Sequence, residues 1–457
     1  MRGCLHVLSC LALTGTVAVQ AEAQTFSLEH YAKVARVTAL HVAPDGNRAA
    51  LVVAWPNYDT NVWEAEVVEV DLRSRATRTL TQRKSASSPR WSPSGDRLAF
   101  LASVEGKTQL FVLPAGGGDA RQVTYAPTGI GTFAWRPDGA AFAFVASATS
   151  PARGKFDDAF EINGNDYLTL AAPRANQLFS IASDGGEATP LAGGDWSIPG
   201  LFSTITWSAD GRLLYFTRQE SAGTREWERR ALSVLDVASG RIAPIPGIEG
   251  RKCGAGWLSP DGGQLLLSCP VDGHVKNQSE LGLLPLNGGA FRRLTVPLDR
   301  NFSRGAWRSD SRAVVSSAPD GTASGLWDIP LEGPPRRIDV GRVGVGDVDV
   351  AADGAIVFIG TEALRPPELY VVRPGATAPE RLTDLHASVA AMALGKLESL
   401  RWTSDDGLPL DGILTFPPGF NPAQRYPLVL NIHGGPWGSS REVFSTRSQL
   451  LAGKGFL

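Results

Sequence analysis

The sequence is poor in cysteine and methionine and has no excess of charge of either sign. Its 457 residues include four cysteines and two methionines, and 44 basic residues stand against 46 acidic ones, for a net charge of −2. A near-neutral chain without blocks of like charge argues against a nucleic-acid groove or a polybasic membrane patch. The uncharged apolar run Leu5–Val19 is too short to span a bilayer comfortably, which argues against a multi-pass membrane protein.

Turn-forming and aromatic residues are abundant instead. Glycine accounts for 50 of the 457 residues, beside 31 prolines and 12 tryptophans, and the glycine share exceeds the usual value of about 7%. With 43% hydrophobic and 20% charged residues, the composition is that of a globular chain and not of a disordered one. The length corresponds to about three domains, which is enough for a sizeable core. Many short strands joined by tight turns are expected, and collagen or coiled-coil architectures are excluded.

The N-terminus has the pattern of an export signal. Met1-Arg2 provides a positive start, Leu5–Val19 an apolar core, and Ala21–Ala23 a small-x-small cleavage site before Gln24. Residues 1–23 are therefore predicted to be a signal peptide, and the protein to be periplasmic or secreted. A retained anchor is the alternative. A lipoprotein is disfavoured because Cys10 lies inside the apolar run.

Signal removal would leave two cysteines, Cys253 and Cys269. Their midpoint is residue 261, in the predicted turn Pro260–Gly262, so they should face each other across a hairpin with Cα atoms about 4.5–5.5 Å apart. That separation permits a disulfide in an oxidising compartment. Two buried free thiols are the alternative.

A turn pattern recurs seven times along the chain. Its best copies place a Trp four or five residues before a Gly, most often with Asp before the Gly. Aligned on the turn residue, the copies fall at 46, 95, 139, 211, 262, 311 and 354, with steps of 49, 44, 72, 51, 49 and 43 residues. Seven copies near the period of roughly 40–50 residues of a four-stranded blade predict a seven-bladed β-propeller. A two-sheet β-sandwich with coincidental turns is the alternative.

Each repeat has the residues that a blade needs. Asp-Gly suits a tight turn, and the Trp is expected to pack between neighbouring sheets. The apolar run after the turn, such as Arg97–Leu101, is predicted to be the buried inner strand, and a half-motif such as Gln109–Val112 with Arg121–Thr124 completes the blade. An insertion at 150–175 accounts for the 72-residue step and is either a functional loop or a spacer. The propeller is predicted over residues 24–394.

The pattern changes at residue 395. A hairpin is predicted within Leu400–Phe416, and Tyr426–Ile432 reads as a strand buried on both faces. The loop His433–Gly438 follows. The sequence Ser439-x-x-Glu442 is predicted to be a capping box that opens a helix, which would end at a glycine at 453 or 455. Residues 395–457 are thus predicted to be the first strands and helix of an incomplete α/β-hydrolase domain.

The order strand, His-Gly-Gly, helix is the context in which α/β-hydrolases build half of their oxyanion hole. Glycines let a backbone N–H approach a substrate carbonyl. Because Pro436 has no N–H, the predicted donor is Gly435, with Gly434 second. His433 is predicted to shape the loop, and a general-base role is its alternative. A plain glycine-rich turn is the alternative for the whole motif.

With these motifs the chain resembles the prolyl oligopeptidase family of serine peptidases, in its acylaminoacyl-peptidase and dipeptidyl-peptidase branches. The resemblance is carried by the Trp-Ser-Pro-Asp-Gly-like repeats, by Asp411–Leu414 leading to Pro418–Phe420, and by Tyr426–Val429 with His433–Pro436. It extends over essentially all of the chain after residue 23. It implies a propeller that caps an α/β-hydrolase domain, a Ser-Asp-His triad and short peptides as substrates.

One departure from the family pattern is decisive. The 457 residues contain no Gly-x-Ser-x-Gly, and the triad members of an α/β-hydrolase follow the oxyanion loop in the order Ser, Asp or Glu, His. The chain is therefore expected to be truncated before the catalytic serine and inactive by itself. Its last ~60 residues would expose an apolar strand and helix without their sheet.

Other candidate sites are weaker. Glu226 and Glu228 resemble the paired glutamates with which dipeptidyl peptidases hold a substrate's amino terminus, but a solvated charged loop is the stronger interpretation. Histidines 30, 41, 274 and 386 lack metal-ligand spacing, and no phosphate-binding loop is present. No cofactor, metal or nucleic-acid partner is predicted, an oligopeptide is the predicted substrate, and a homo-oligomer stays open.

Two hypotheses from different classes remain. The first is an exported serine peptidase of the prolyl oligopeptidase family that hydrolyses short peptides. The second is a periplasmic propeller that binds partner proteins and carries a vestigial hydrolase segment. A nucleophilic serine in the native protein would discriminate between them.

Overall fold

Seven four-stranded antiparallel sheets dominate the protein. The computed structural model describes residues 24–148, 174–200, 204–223, 228–435 and 438–457. Each sheet consists of four strands that are consecutive in the chain. The predicted seven-bladed propeller is confirmed. The predicted signal peptide and most of the 150–175 insertion lie outside the described residues.

The blades follow one another in chain order. Blade 1 consists of β1 (Arg36–Val42), β2 (Arg48–Asn57), β3 (Val62–Asp71) and β4 (Thr77–Thr79); blade 2 of β5 (Ser87–Trp91), β6 (Arg97–Val104), β7 (Lys107–Pro114) and β8 (Arg121–Gln122); blade 3 of β9 (Ile130–Trp135), β10 (Ala141–Ser147), β11 (Asn176–Ala182) and β12 (Thr189–Ala192). Blade 4 consists of β13 (Ile205–Trp207), β14 (Leu213–Arg218), β15 (Ala231–Asp236) and β16 (Arg241–Pro244); blade 5 of β17 (Gly254–Leu258), β18 (Gln264–Pro270), β19 (Ser279–Pro285) and β20 (Arg292–Arg293). Blade 6 consists of β21 (Ala306–Trp307), β22 (Ala313–Asp320), β23 (Ala323–Pro330) and β24 (Arg336–Ile338); blade 7 of β25 (Gly344–Val350), β26 (Ile356–Glu362), β27 (Arg365–Val372) and β28 (Glu380–Arg381).

All seven predicted turns join the first and second strands of a blade. Six of the turn residues are glycines with φ between 68° and 85°, a region that side chains disfavour, and Ser311 occupies the seventh turn at φ 59°. In blade 4 the Ser208 hydroxyl donates to Asp210 (2.6 Å) and accepts from the amide of Leu213 (2.9 Å). The repeated sequence is therefore a hydrogen-bonded turn in which the serine has a structural role that the pattern alone had not revealed.

The tryptophans before the turns pack between neighbouring blades, as predicted. The indole of Trp135 donates to the carbonyl of Arg90 in the preceding blade (3.1 Å), and Trp307 donates likewise to Trp257 (3.0 Å). One detail of the prediction is wrong. The run after each turn, such as Arg97–Leu101, is buried, but it belongs to the second strand. The first strands contact those of adjacent blades and so surround the centre of the ring.

The ring closes through side chains. No described sheet combines strands from the two ends of the chain, and blade 7 packs on blade 1 through one shared apolar cluster. Asp347 accepts from the amide of Ala39 (3.1 Å) and Asp349 from that of Val42 (2.8 Å). Blade 7 carboxylates thus satisfy backbone donors at the inner edge of blade 1.

The predicted disulfide is present. Cys253 and Cys269 are bonded, with Cα atoms 4.1 Å apart, somewhat closer than the expected separation. Because Gly254 pairs with Ser268 across the β17–β18 ladder, the two cysteines lie opposite each other at its end. They are almost completely buried among apolar side chains of blades 4 and 5.

Three elements follow the propeller: the short helix α1 (Ala387–Ala390), the hairpin β29 (Leu397–Thr403)–β30 (Pro409–Thr415) and the helix α2 (Thr446–Gly453). The hairpin confirms its prediction. Two short 3-10 helices, Leu28–Lys33 and Val296–Leu298, occur earlier in the chain. Among the residues described, no helix has the length and apolar character needed to cross a bilayer.

The predicted buried strand at Tyr426–Ile432 is absent from the sheets. This segment forms no strand and is largely exposed, with Leu430 at 78% and Ile432 at 81% of full exposure. Its only ladder-like bonds join Val429 N to Leu457 O and Leu457 N to Pro427 O, both 2.9 Å. That pattern is the beginning of a parallel pair. A strand is buried on both faces only when sheet neighbours and covering helices are present, and the described residues provide neither.

The predicted helix start was also wrong. Helix α2 begins after Ser445, whose hydroxyl accepts from the amide of Ser448 (3.3 Å), and it ends at Gly453 as expected. Ser439 and Glu442 do not form a capping box. Glu442 instead pairs with Arg342 of the propeller at 2.8 Å, because this segment runs across the propeller before it turns into the helix.

Candidate functional site

The C-terminal end of the glycine-rich loop lies near one face of the propeller. Gly438, the last residue of the loop, and Ser439 line a cavity of about 580 Å³ whose other wall comes from blades 5 and 6. That wall includes Asp272 and Lys276 between the second and third strands of blade 5, and Arg300 before blade 6. The end of the predicted loop therefore borders a cavity, which His433, Gly434 and Gly435 do not line.

The three predicted oxyanion-loop residues, His433, Gly434 and Gly435, are exposed. His433 Nδ1 lies 2.9 Å from the carbonyl oxygen of Gly434, a contact in keeping with a loop-shaping role. Within the part of the chain that the structure describes, the amides of Gly434 and Gly435 have no hydrogen-bond acceptor. Their role as oxyanion donors stays a prediction, and the geometry leaves both amides able to donate.

A close backbone approach holds this loop together. A Cβ atom at Gly438 would lie 2.0 Å from the carbonyl oxygen of Gly434 and 2.8 Å from His433 Nδ1. Any side chain at 438 would therefore push the loop open. Glycine at this position is a requirement of the loop's shape.

The segment after the loop is fixed to blades 6 and 7. The amide of Glu442 donates to the backbone carbonyl of Thr322 (2.8 Å), and the amide of Phe444 donates to the backbone carbonyl of Glu362 (2.8 Å). Val443 fills the space beside Gly344, where a Cβ would approach its Cγ1 to 2.3 Å. These contacts set the position of the loop relative to the propeller.

A second cavity, of about 340 Å³, adjoins the first and shares Asn301 and Pro319 with it. It lies between blades 6 and 7 beneath Arg441. Arg304 in its wall pairs with Asp347 at 3.3 Å, and Arg441 Nη1 donates to the hydroxyl of Ser324 (3.2 Å).

Charged residues also line the inner strands of blades 7, 1 and 2. Burial, and then the charges of Arg90 and Arg304, lower the pKa of His41 to about 3, so the imidazole is neutral at pH 7. Burial raises the pKa of Asp349 and lowers that of Arg90. His41 Nδ1 accepts from the amide of Trp91 (3.3 Å), which links blade 1 to blade 2.

The prediction from sequence missed this inner group, although a signal was available. His41, Arg90 and Asp349 each stand five residues before a turn residue, at 46, 95 and 354. Successive side chains of a strand point to opposite faces. The tryptophan position of each repeat faces the apolar contact between blades. A polar residue directly before it therefore points to the opposite face of the first strand.

The remaining candidates contribute little to the site. Glu226 lies outside the described residues, and Glu228 is exposed and pairs with Lys276 at 3.3 Å. No group of three metal-binding side chains occurs within the described ranges. His386 is fully buried against Glu368, where it has a structural role.

Two curated relatives match nearly the whole chain. Dipeptidyl-peptidase 5 of Porphyromonas gingivalis is 25% identical over 98% of this chain and 69% of its own length. The uncharacterized peptidase YuxL of Bacillus subtilis is 26% identical over 93% of this chain and 68% of its own length. No family model matches the chain.

The fold has a solved counterpart. An acylaminoacyl peptidase in complex with Z-Gly-Gly-Phe-chloromethyl ketone superposes with a TM-score of 0.76, at 21% identity, over 94% of this chain and 65% of its own. The chain is a relative of the prolyl oligopeptidase family of peptidases. The resemblance stated from the motifs is thereby confirmed, and the chain spans about two thirds of the length of these family members.

Proposed function

We propose that this chain provides the substrate-admitting propeller and the oxyanion-loop half of an exported serine peptidase that acts on short peptides. One observation carries the proposal. The exposed amides of Gly434 and Gly435, which have no hydrogen-bond acceptor among the described residues, belong to a loop whose last residue borders a cavity formed with the propeller. A peptide in that cavity could bring a carbonyl to donors of the kind that stabilise a tetrahedral intermediate.

The relatives support the choice of a peptide substrate. One is named a dipeptidyl-peptidase, and the solved counterpart carries a peptide-like chloromethyl ketone. The central ring of inner strands would restrict entry to short or unfolded chains. The buried Cys253–Cys269 disulfide supports an oxidising compartment, in agreement with the predicted signal peptide.

This sequence contains the residues proposed to stabilise the oxyanion but no motif for the nucleophilic serine. Gly435 N–H, with Gly434 second, would donate to the developing oxyanion, and His433 would hold the loop. The 457 residues contain no Gly-x-Ser-x-Gly, so this chain is proposed to be inactive by itself. The nucleophile would have to come from outside these residues.

The proposal can be tested by covalent labelling of the native protein. An antibody against the propeller would isolate it from its own cells, and a fluorophosphonate probe would then label any activated serine. Labelling of the native protein, with none of the recombinant 457-residue chain, is the expected result. A native protein that is not labelled, and whose mass does not exceed that of the 457-residue chain, would overturn the peptidase proposal. It would favour the partner-binding propeller.

A further inference from the structure

The smaller cavity, between blades 6 and 7, has an uncompensated positive charge. Two guanidinium groups line it, those of Arg304 and Arg441, against one carboxylate, that of Asp347. Both oxygens of this carboxylate are engaged, one by Arg304 (3.3 Å) and the other by the amide of Ala39 (3.1 Å). Among the described residues, no hydrogen bond or ion pair joins Asp347 to Arg441.

Within the described part of the chain, no acidic group is paired with Arg441. Its guanidinium donates to the hydroxyl of Ser324 at 3.2 Å, and no described carboxylate lies within ion-pair distance. Both carboxylate oxygens of the adjacent Glu442 accept from the guanidinium of Arg342, at 2.8 and 3.0 Å. The remaining N–H groups of the Arg441 guanidinium are thus able to donate to a ligand.

The backbone holds Arg441 at this position. Glu442 and Phe444, which follow it, are hydrogen-bonded to Thr322 and Glu362 of the propeller. Only six positions separate Arg441 from Gly435. A peptide that binds with a carbonyl at the glycine amides and extends into this cavity would meet Arg441 in its wall.

We propose that Arg441, with Arg304 beside it, forms a subsite for a carboxylate of the bound peptide. A planar guanidinium can bind a carboxylate through two parallel hydrogen bonds. The carboxylate is either the C-terminus of the peptide or an aspartate or glutamate side chain. The volume of about 340 Å³, walled by Val315, Ala318 and Val345, suits a small apolar residue next to this group. The inference rests on the proposed peptide substrate.

Binding to the 457-residue chain tests the subsite without requiring hydrolysis. Calorimetry would compare three pentapeptides that share an alanine-rich sequence: one with a free C-terminus, one amidated, and one amidated with an internal aspartate. Charge-assisted hydrogen bonds predict that a carboxylate peptide binds about tenfold to a hundredfold tighter than the amidated peptide. The peptide that shows this gain identifies the source of the carboxylate.

Variants assign the effect to one residue. Arg441→Gln should abolish the difference between acid and amide peptides. Arg401→Gln, at an exposed arginine of the β29–β30 hairpin, should leave the difference intact. Equal binding of all three peptides, or a difference that survives Arg441→Gln, would overturn the subsite. Serine labelling of the native protein is independent of this result, so the two proposals can fail separately.

Discussion

At the scale of single residues, the serine of the repeated turn links the sequence pattern to the fold. In blade 5 the buried Ser259 hydroxyl donates to Asp261 at 2.5 Å and accepts from the amide of Gln264 at 3.0 Å. Asp261 also accepts from the amide of Gly263 at 3.0 Å. Hydrogen bonds from Ser259, and then from the backbone, lower the pKa of Asp261. The turn therefore favours the ionised carboxylate.

Ser259→Ala is expected to lower the free energy of unfolding by about 1–2 kcal/mol, because it leaves the half-buried amide of Gln264 without its acceptor. Urea unfolding would measure the loss. Ser309→Ala is the matched control, since Ser309 lies in a turn but is exposed and should change stability by less than about 0.5 kcal/mol. Equal losses in both variants would contradict the structural role of the turn serine.

A second residue-scale feature is the buried pair of Glu368 and His386, both fully inaccessible to solvent. Glu368 accepts from Thr383 Oγ1 (2.5 Å) and from the amides of Leu385 and His386 (2.9 Å each), and it lies 3.1 Å from His386 Nδ1. His386 Nε2 accepts from the amide of Ala35 (2.9 Å). The pair thus connects blade 7 to the start of blade 1.

This pair predicts a pH dependence of stability. Burial acts to raise the pKa of Glu368, but the hydrogen bonds from His386, Thr383 and the backbone outweigh it and lower the pKa from its ordinary value of 4.5. A lowered pKa means that folding favours the carboxylate, so its contribution is present above pH 4.5 and is lost as the pH falls through the folded value. Glu368→Gln should flatten this acid limb.

At pH 7, Glu368→Gln should also cost about 2–3 kcal/mol, since its amide nitrogen would face N–H donors. Urea unfolding between pH 3 and pH 8 would show both effects. Glu280→Gln, at the same position of blade 5, is the control. Its loss should be smaller because one oxygen of Glu280 already lacks a partner among the described residues. Parallel profiles for wild type and Glu368→Gln would refute the prediction.

At the scale of elements, the β17–β18 hairpin is the one that carries the disulfide. The bond closes a loop between cysteines 16 positions apart. It lies between the apolar faces of blades 4 and 5, so it stabilises the packing of two blades as well as one hairpin.

The double variant Cys253→Ala/Cys269→Ala is expected to lose about 3 kcal/mol of stability, since a loop of this length gains roughly that amount from a cross-link. Guanidinium unfolding would measure it. Thiol titration of the unfolded, unreduced chain expressed without residues 1–23, and so without Cys4 and Cys10, provides the control, because it should show no free thiol. Two titratable thiols would show that the pair is not bonded.

At the scale of the whole molecule, the N-terminal segment connects the propeller to the segment after it. Phe26 is 1% exposed and packs with Val34, Val389 and Phe444. Its ring meets that of Phe444 edge-on, with centroids 5.9 Å apart. The first described residues, the end of the propeller and the segment that carries the glycine-rich loop therefore share one cluster.

Phe26→Ala is expected to lower the unfolding free energy by about 3–5 kcal/mol, the usual result of removing a buried aromatic ring. Limited proteolysis should then cleave first near α2. Leu28→Ala in the same segment is the control, because Leu28 is 62% exposed and should be nearly neutral. Unchanged protease resistance in Phe26→Ala would show that the cluster does not anchor the loop segment.

The amino-acid sequence by itself determined the propeller, its seven turns, the placement of Cys253 opposite Cys269 and the family resemblance, because each depends on local chemistry that repeats or is read directly from neighbouring residues. Trp, Asp and Gly at fixed spacing specify a turn and a packing contact without reference to distant residues. The hairpin at 397–415 was predictable for the same reason.

Only the tertiary structure decided where distant residues meet. Arg304, Asp347 and Arg441 come together because blades 6 and 7 are adjacent and the segment at 441–444 lies across them, and no local pattern encodes that approach. Tyr426–Ile432 illustrates the converse. Its apolar run predicts a buried strand, but the structure forms no strand there, and among the described residues its backbone bonds to another segment are those with Leu457. Local sequence sets the conformation that a segment favours, whereas its burial and its partners are set by the rest of the fold.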